Sequence, residues 1–135
     1  MIFVDTNVLI DVAANNPIWV AWSRDELNAA DSADELAIDD IVYAELAVGY
    51  RRVEEVDVFI RRSNISVRRT PRPALFLAGK AFQRYRASGG TRTGVLPDFL
   101  IGAHAVSTSS RLITRDPRRY RAYFPGIELI TPSVN

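Results

Sequence analysis

The first eleven residues, MIFVDTNVLID (Met1 to Asp11), decide how the rest of the chain is read. Met1 to Val4 is a short apolar run, the pattern of a parallel strand buried on both faces, and it stops at Asp5. A strand of that kind delivers the side chain at its carboxyl end to a cleft. Thr6 or Asn7 can then cap a helix. Further short runs, Glu35 to Ile38, Ile65 to Arg68, Arg111 to Thr114 and Ile127 to Ile130, read as strands with helical patterns between them. Strands alternating with helices predict an α/β fold: a single domain over residues 1–135, built as an α/β/α sandwich around a central, mainly parallel sheet. A chain of 135 residues suffices for one such core and is too short for two ordinary ones.

The helices are marked by their punctuation. Asn16 before Pro17 predicts a helix start with Pro at the first helical position, leading into WVAWSRDELNAA. Asp39 or Asp40 caps a helix carrying Ile41, Ala44, Leu46 and Val48 and closed by Gly49, and Val53 to Arg62 forms another. Pro73 opens a long helix to about Ser88, with Leu75, Ala78, Phe82 and Tyr85 at helical spacing. Ser88 to Gly94, SGGTRTG, reads as a flexible loop; it lacks the Gly-Lys-Ser/Thr ending of a phosphate-binding P-loop. Pro97 then starts a helix to about Thr108.

Composition removes several function classes. Apolar residues make up 47% and charged residues 24%, which argues against global disorder. The longest uncharged stretches, Val12 to Ser23 and Phe99 to Ser110, are 12 residues each. A membrane span needs roughly 20 apolar residues. Asp5 and Asp11 interrupt the run that a signal peptide would require, so a cytoplasmic location is expected. With no Cys there is no disulfide, thiolate zinc site or cysteine nucleophile, and a lone His104, within GAHAV, reads as part of a packed helix. Any metal must be held by oxygen.

The net charge of +1 hides an asymmetry: residues 1–57 hold 13 acids and 3 bases, residues 58–135 hold 3 acids and 14 bases. Sixteen of the 17 basic residues are Arg, which suits planar, bidentate contact with phosphate or carboxylate groups. A solvated, arginine-rich face accounts for the same composition.

Four acids resist explanation by solvation. Asp98 and Asp116 lie beside apolar segments in the basic half, Asp5 follows four apolar residues, and Glu45 sits inside YAELAV between Tyr43, Leu46 and Val48. An unpaired charge in buried surroundings costs several kcal/mol. If strand ends and helix starts gather Asp5, Glu45, Asp98 and Asp116, their repulsion requires protons or a cation among them. A hard divalent ion such as magnesium fits an all-oxygen set. Such a cluster suits in-line phosphodiester hydrolysis, because an ion lowers the pKa of water and offsets charge developing at phosphorus. Thr6 and Thr114 each neighbour an acid closely enough to orient water there, and Asn7 adds a neutral donor. Each acid also has a plain reading. Asp5 can cap a helix, Asp98 favours any helix first turn, Asp116 before Pro117 is a turn residue, and Glu45 can face outward.

Taken together, VDTNVLID, YAEL, LPDFLIGAHA and LITRDPRRYRAYFP resemble the PIN domain, most closely the VapC-type toxin ribonucleases of toxin–antitoxin pairs, over residues 2–125. The resemblance implies an α/β/α sandwich, magnesium- or manganese-dependent RNA cleavage, frequent homodimers, and an antitoxin that blocks the site. Asp5, Glu45 and Asp98 match the family's first three acids and Asp116 stands for the fourth, so all four would bind metal and act in catalysis. Many relatives read TRN, with the acid a few residues further on, where this chain has Arg118 and Arg119. Thr114 matches a hydroxyl residue beside the metal. Arg92, Arg115, Arg118 and Arg119 surround these acids and are candidates for contact with RNA or antitoxin. The expectation is therefore a metal-dependent endoribonuclease acting as a toxin. The alternative is a PIN-like module that binds RNA or protein without cutting. A small-ester phosphatase of the Asp-x-Asp type is disfavoured by Asn7.

Overall fold

The computed structural model describes residues 1–132. Five short strands, β1 (Ile2–Val4), β2 (Leu36–Asp39), β3 (Ile65–Arg68), β4 (Arg111–Ile113) and β5 (Leu129–Ile130), form one sheet in the order β3-β2-β1-β4-β5. Every neighbouring pair is parallel. Their apolar runs exist because both sheet faces are covered: Ile2, Val4, Ile38, Leu112 and Ile113 are fully buried. The edge strand β3 differs, leaving Val67 exposed. From β1 the chain builds outward through β2 and β3, then crosses to the other side of β1 for β4. The reversal places a topological switch point between β1 and β4, where open parallel sheets hold their sites.

Seven helices connect these strands among the described residues: α1 (Thr6–Ala13), α2 (Val20–Ala33), α3 (Asp40–Ala47), α4 (Val53–Arg62), α5 (Arg72–Ala87), α6 (Leu96–Ser107) and α7 (Arg118–Tyr123). Asp5, rather than Thr6 or Asn7, caps α1, because Thr6 already has helical geometry and its N–H bonds the Asp5 carboxylate. Asn16 acts as the expected start signal, its Oδ1 accepting from Ile18 N and Trp19 N at 2.9 and 3.0 Å. Pro17 lies in a turn, and α2 begins only at Val20. Asp39 caps α3, accepting from Val42 N.

Two helices expose some of the residues that their apolar spacing assigns to the core. On α3 the core side chains are Val42 and Leu46, while Ala44 and Val48 are exposed. Val48 forms the C-cap, beyond the cover of the sheet. On α5 the buried residues are Ala74, Ala78 and Ala81, and Leu75 and Phe76 face solvent. Small side chains let α5 lie closely against α6, and that approach outweighs burial of a larger one.

A similar close approach fixes α7 on α6. A Cβ added at Gly102 would lie 2.7 Å from the Phe124 ring and 3.0 Å from the Tyr120 ring. Gly102→Ala therefore displaces two buried aromatic side chains and is expected to cost about 1–3 kcal/mol, read from the urea midpoint at constant m-value. An unchanged midpoint would show that α7 yields freely.

Candidate active site

Strands β1 and β4 pair in register as far as Val4 and Ile113, and Asp5 N donates to Ile113 O at 2.9 Å. The next residue on each strand is Asp5 or Thr114, so these two leave the sheet side by side at the switch point. Thr114 Oγ1 donates to Asp5 Oδ2 at 2.7 Å. Tyr120 of α7 donates its hydroxyl to the same oxygen at 2.9 Å. On the other oxygen, Oδ1 accepts from Thr6 N at 2.8 Å. All three groups are buried, with Asp5 5% exposed. Burial pushes the Asp5 carboxyl up to about 6 in spite of these donors, and the charge of Asp98 adds to the rise. Tyr120 is raised well above the ordinary phenol range by burial and by the carboxylates of Asp5, Asp98 and Glu45. It therefore stays a hydrogen-bond donor at every physiological pH.

The other acids arrive on separate elements. Glu45, on α3, accepts from Thr6 Oγ1 at 2.6 Å through Oε1. Burial raises its pKa, opposed by the Thr6 bond, with the charges of Asp98 and Asp39 adding to the rise. Asp98 lies in the first turn of α6 and pairs with the Arg119 guanidinium. Burial raises its pKa and Arg119 works against the rise. Asp116, in the turn before α7, is fixed through its backbone, its N–H donating to Thr114 Oγ1 at 3.1 Å. Asp5, Thr6, Asn7, Glu45, Asp98 and Asp116 together line one cleft of about 400 Å³. The hydroxyls of Thr6 and Thr114 each donate to a carboxylate, so they position acids.

Oxygen ligands prevail in this cleft, the donor set preferred by a hard cation. Asn7 adds a second sign: its Oδ1 is buried with no hydrogen-bond partner among the described residues, an expensive state unless an electropositive group meets it. Among the described residues, no group of three His, Cys, Asp or Glu side chains is gathered tightly enough to hold a metal ion. The hydrogen bonds give the reason: Asp98 is turned to Arg119, Glu45 to Thr6, and Asp5 to Thr114 and Tyr120. Donor chemistry thus fits a divalent ion, while the carboxylates of Asp5, Glu45 and Asp98 each have a protein partner.

Of the arginines, Arg115 lies outside the group it was placed in by sequence. Asp11 of α1, 1% exposed, accepts from Arg115 Nε at 2.8 Å, Arg115 Nη2 at 3.1 Å and Ser23 Oγ at 2.9 Å. The guanidinium also lies 5.5 Å from the centroid of the Trp19 ring. Because Arg115 sits between Thr114 and Asp116, this pair pins their turn to α1. Arg92, Arg118 and Arg119 line a neighbouring cleft that shares Asp116. Sequence reasoning missed both Tyr120 and Asp11. Asp11 was recoverable, since the cost of burying a charge within VLIDVA is the argument that singled out Glu45. A third buried acid, Asp39, lies 3.1 Å from His104 Nδ1 and ties the start of α3 to α6.

A family model described as PIN domain matches residues 2–125. Among solved structures, VapBC2 from Rickettsia felis bound to a promoter DNA fragment superposes with a TM-score of 0.75 at 20% identity, covering 98% of this chain and 100% of that one. A toxin–antitoxin complex from Klebsiella pneumoniae gives 0.71 at 24% identity, covering 98% of each chain. DNA-bound VapBC from Salmonella typhimurium gives 0.71 at 22%, covering 96% of each. At these identities the likeness is one of fold. No curated protein matches the chain.

Two measurements check the electrostatics. The folded state holds the Asp5 proton more tightly than the unfolded chain does, so ionisation of this group destabilises the fold as pH rises from 3.8 through about 6. In metal-free buffer, stability of Asp5→Asn relative to wild type should increase across that window by up to roughly 3 kcal/mol; a pH-independent difference would contradict the assignment. Arg115→Ala strands the Asp11 charge and should cost roughly 2–3 kcal/mol in urea unfolding, below a fully enclosed pair because Arg115 is partly exposed. A loss under about 0.5 kcal/mol would place this pair with ordinary surface bridges.

Proposed function

Since the chain belongs to the PIN domain family, we propose that it is a magnesium- or manganese-dependent endoribonuclease and the toxin of a toxin–antitoxin pair. The observation that carries this reading is the convergence of Asp5, Glu45, Asp98 and Asp116, from four separate elements, on one cleft at the switch point. These four would hold the ion, with Asn7 Oδ1 as a neutral oxygen. When bound, the ion supplies Lewis acidity toward water and the phosphodiester and offsets the charge of the carboxylates.

The chain's own groups supply position and proton transfer. A carboxylate has about four acceptor sites; Thr6 N, Thr114 and Tyr120 occupy three on Asp5 and leave one. Glu45 is held at Oε1 by Thr6, and its Oε2 has no partner among the described residues. Its raised pKa brings it closer to neutrality, which suits Oε2 to take the proton of the attacking water. Water oxygen then bonds to phosphorus as the bond to the leaving oxygen breaks, and the leaving oxygen takes a proton from solvent, to which Glu45 returns the one it accepted. Arg119, paired with Asp98, stands in for a cation at that carboxylate and has to yield it.

An antitoxin partner follows from similarity to the Klebsiella pneumoniae complex. An apolar groove of about 450 Å³ lined by Ile10, Ala13, Leu46, Val48 and Tyr50 meets the carboxylate cleft at Glu45 and offers it a seat. A homodimer covering exposed Leu75 and Phe76 of α5 completes the assembly. No described helix is long and apolar enough to cross a membrane, and the cytoplasm is the proposed location. One observation favours the non-cutting alternative: the Arg119–Asp98 pair already satisfies an acid that metal would need.

Cleavage of end-labelled total RNA separates the two. Discrete products are expected with magnesium or manganese, absent in chelator, and Glu45→Gln should lower kcat on the order of a hundredfold or more with its melting temperature retained. RNA binding without any metal-dependent product would establish the non-cutting module.

A further inference from the structure

The second cleft, about 310 Å³, is lined by Tyr85, Arg92, Asp116, Arg118, Arg119 and Tyr123, and it shares Asp116 with the carboxylate cleft. Arg119 belongs to both, because it lines the second while its guanidinium pairs with Asp98 of the first. Among the described residues, Arg92 and Arg118 make no ion pair, and both are exposed. A concentration of unpaired guanidiniums beside four acids is not required by the fold.

The wall of this cleft is rigid. Tyr85 and Tyr123 have ring centroids 6.1 Å apart and packed on the buried Phe99, at 5.7 and 5.0 Å respectively. The loop carrying Arg92 is held to that wall: Arg92 N donates to Tyr85 OH at 3.1 Å. Two residues earlier, a Cβ at Gly90 would lie 2.4 Å from the Tyr85 ring, so only glycine lets the backbone rest there. Arg92 is thus placed at the rim by specific contacts. Guanidinium forks match phosphate oxygens, and Tyr123, partly exposed, presents an aromatic surface to a base.

We propose that this second cleft binds one phosphate and the adjoining base of single-stranded RNA, next to the phosphodiester that is cut. The inference rests on the nuclease reading above. A strand laid across Asp116 places one phosphate at the carboxylate cleft and its neighbour among Arg92, Arg118 and Arg119. An acidic peptide would account for the arginines and leave the aromatic wall without a role. Phosphate in the second cleft competes with Asp98 for Arg119, so substrate itself helps to release that carboxylate.

The test uses a labelled oligouridylate of about ten nucleotides, within the range of single-strand sites, followed by anisotropy in chelator across a salt series. Cleavage in magnesium is measured in parallel. Arg92→Ala and Arg118→Ala should each lower the slope of log K against log salt by about 0.7, weaken binding several-fold and raise KM with kcat kept. Arg118→Lys should restore the slope, Tyr123→Leu should weaken binding roughly tenfold, and Arg61→Ala on α4, which lines neither cleft, should change nothing. If the wild type cuts RNA while Arg92→Ala and Arg118→Ala keep its slope and KM, the cleft is off the RNA path and the nuclease reading stands. If it neither binds nor cuts RNA, both fall together. Loss of decaglutamate binding in these variants, with RNA binding intact, would reassign the cleft to an acidic protein segment.

Discussion

Asp5 is buried at the switch point, where strand order reverses between β1 and β4, and its carboxylate is held by donors from three segments: Thr6 N, Thr114 Oγ1 and Tyr120 OH. Those bonds join the end of β1, the end of β4 and α7 at a single group. They are too few to cancel the desolvation of the charge, which is why its pKa is up at about 6. The same arrangement makes core packing a part of the site. Gly102 lets Tyr120 and Phe124 press against α6, and Tyr120 then reaches Asp5. Thr114 serves twice, donating to Asp5 and accepting from Asp116 N, so two acids depend on one hydroxyl.

The acids of the core and the cleft divide into two kinds. Asp11 and Asp39 have internal partners, Arg115 with Ser23 and His104 with the α3 backbone, and they tie helices together. Asp5, Glu45, Asp98 and Asp116 share a cleft in which Arg119 is the one paired cation among the described residues. Coulomb repulsion among four nearby carboxylates is large where water is scarce. A fold optimised only for stability would replace them. Their retention beside a basic, aromatic-walled cleft fits an arrangement made to hold a cation and guide a polyanion to it.

The strand pattern and the four acids were legible because a continuous apolar run followed by a charge is costly unless a site explains it. On α5 local periodicity places Ala78, Phe82 and Tyr85 on the core side and misjudges only Leu75, because close approach to α6 selects small residues there. It misjudged Val48 on α3 because burial ends where the neighbouring elements end, which no local pattern reports. Tyr120 was hidden because its ring packs like any core aromatic while its hydroxyl serves a carboxylate 115 residues away. Arg115 was grouped with the other cations by sequence adjacency, yet its partner, Asp11, lies 104 residues distant and on another element. Long-range pairing of this kind is fixed by the order of strands in the sheet, which composition and spacing leave open.

The most direct measurement is an anomalous difference map from crystals grown with manganese. A peak bounded by Asp5, Glu45, Asp98 and Asp116, with Arg119 turned away from Asp98, is the expected result. A cleft without anomalous density at saturating manganese, Arg119 still paired with Asp98, would contradict the assignment of these acids as a cation site.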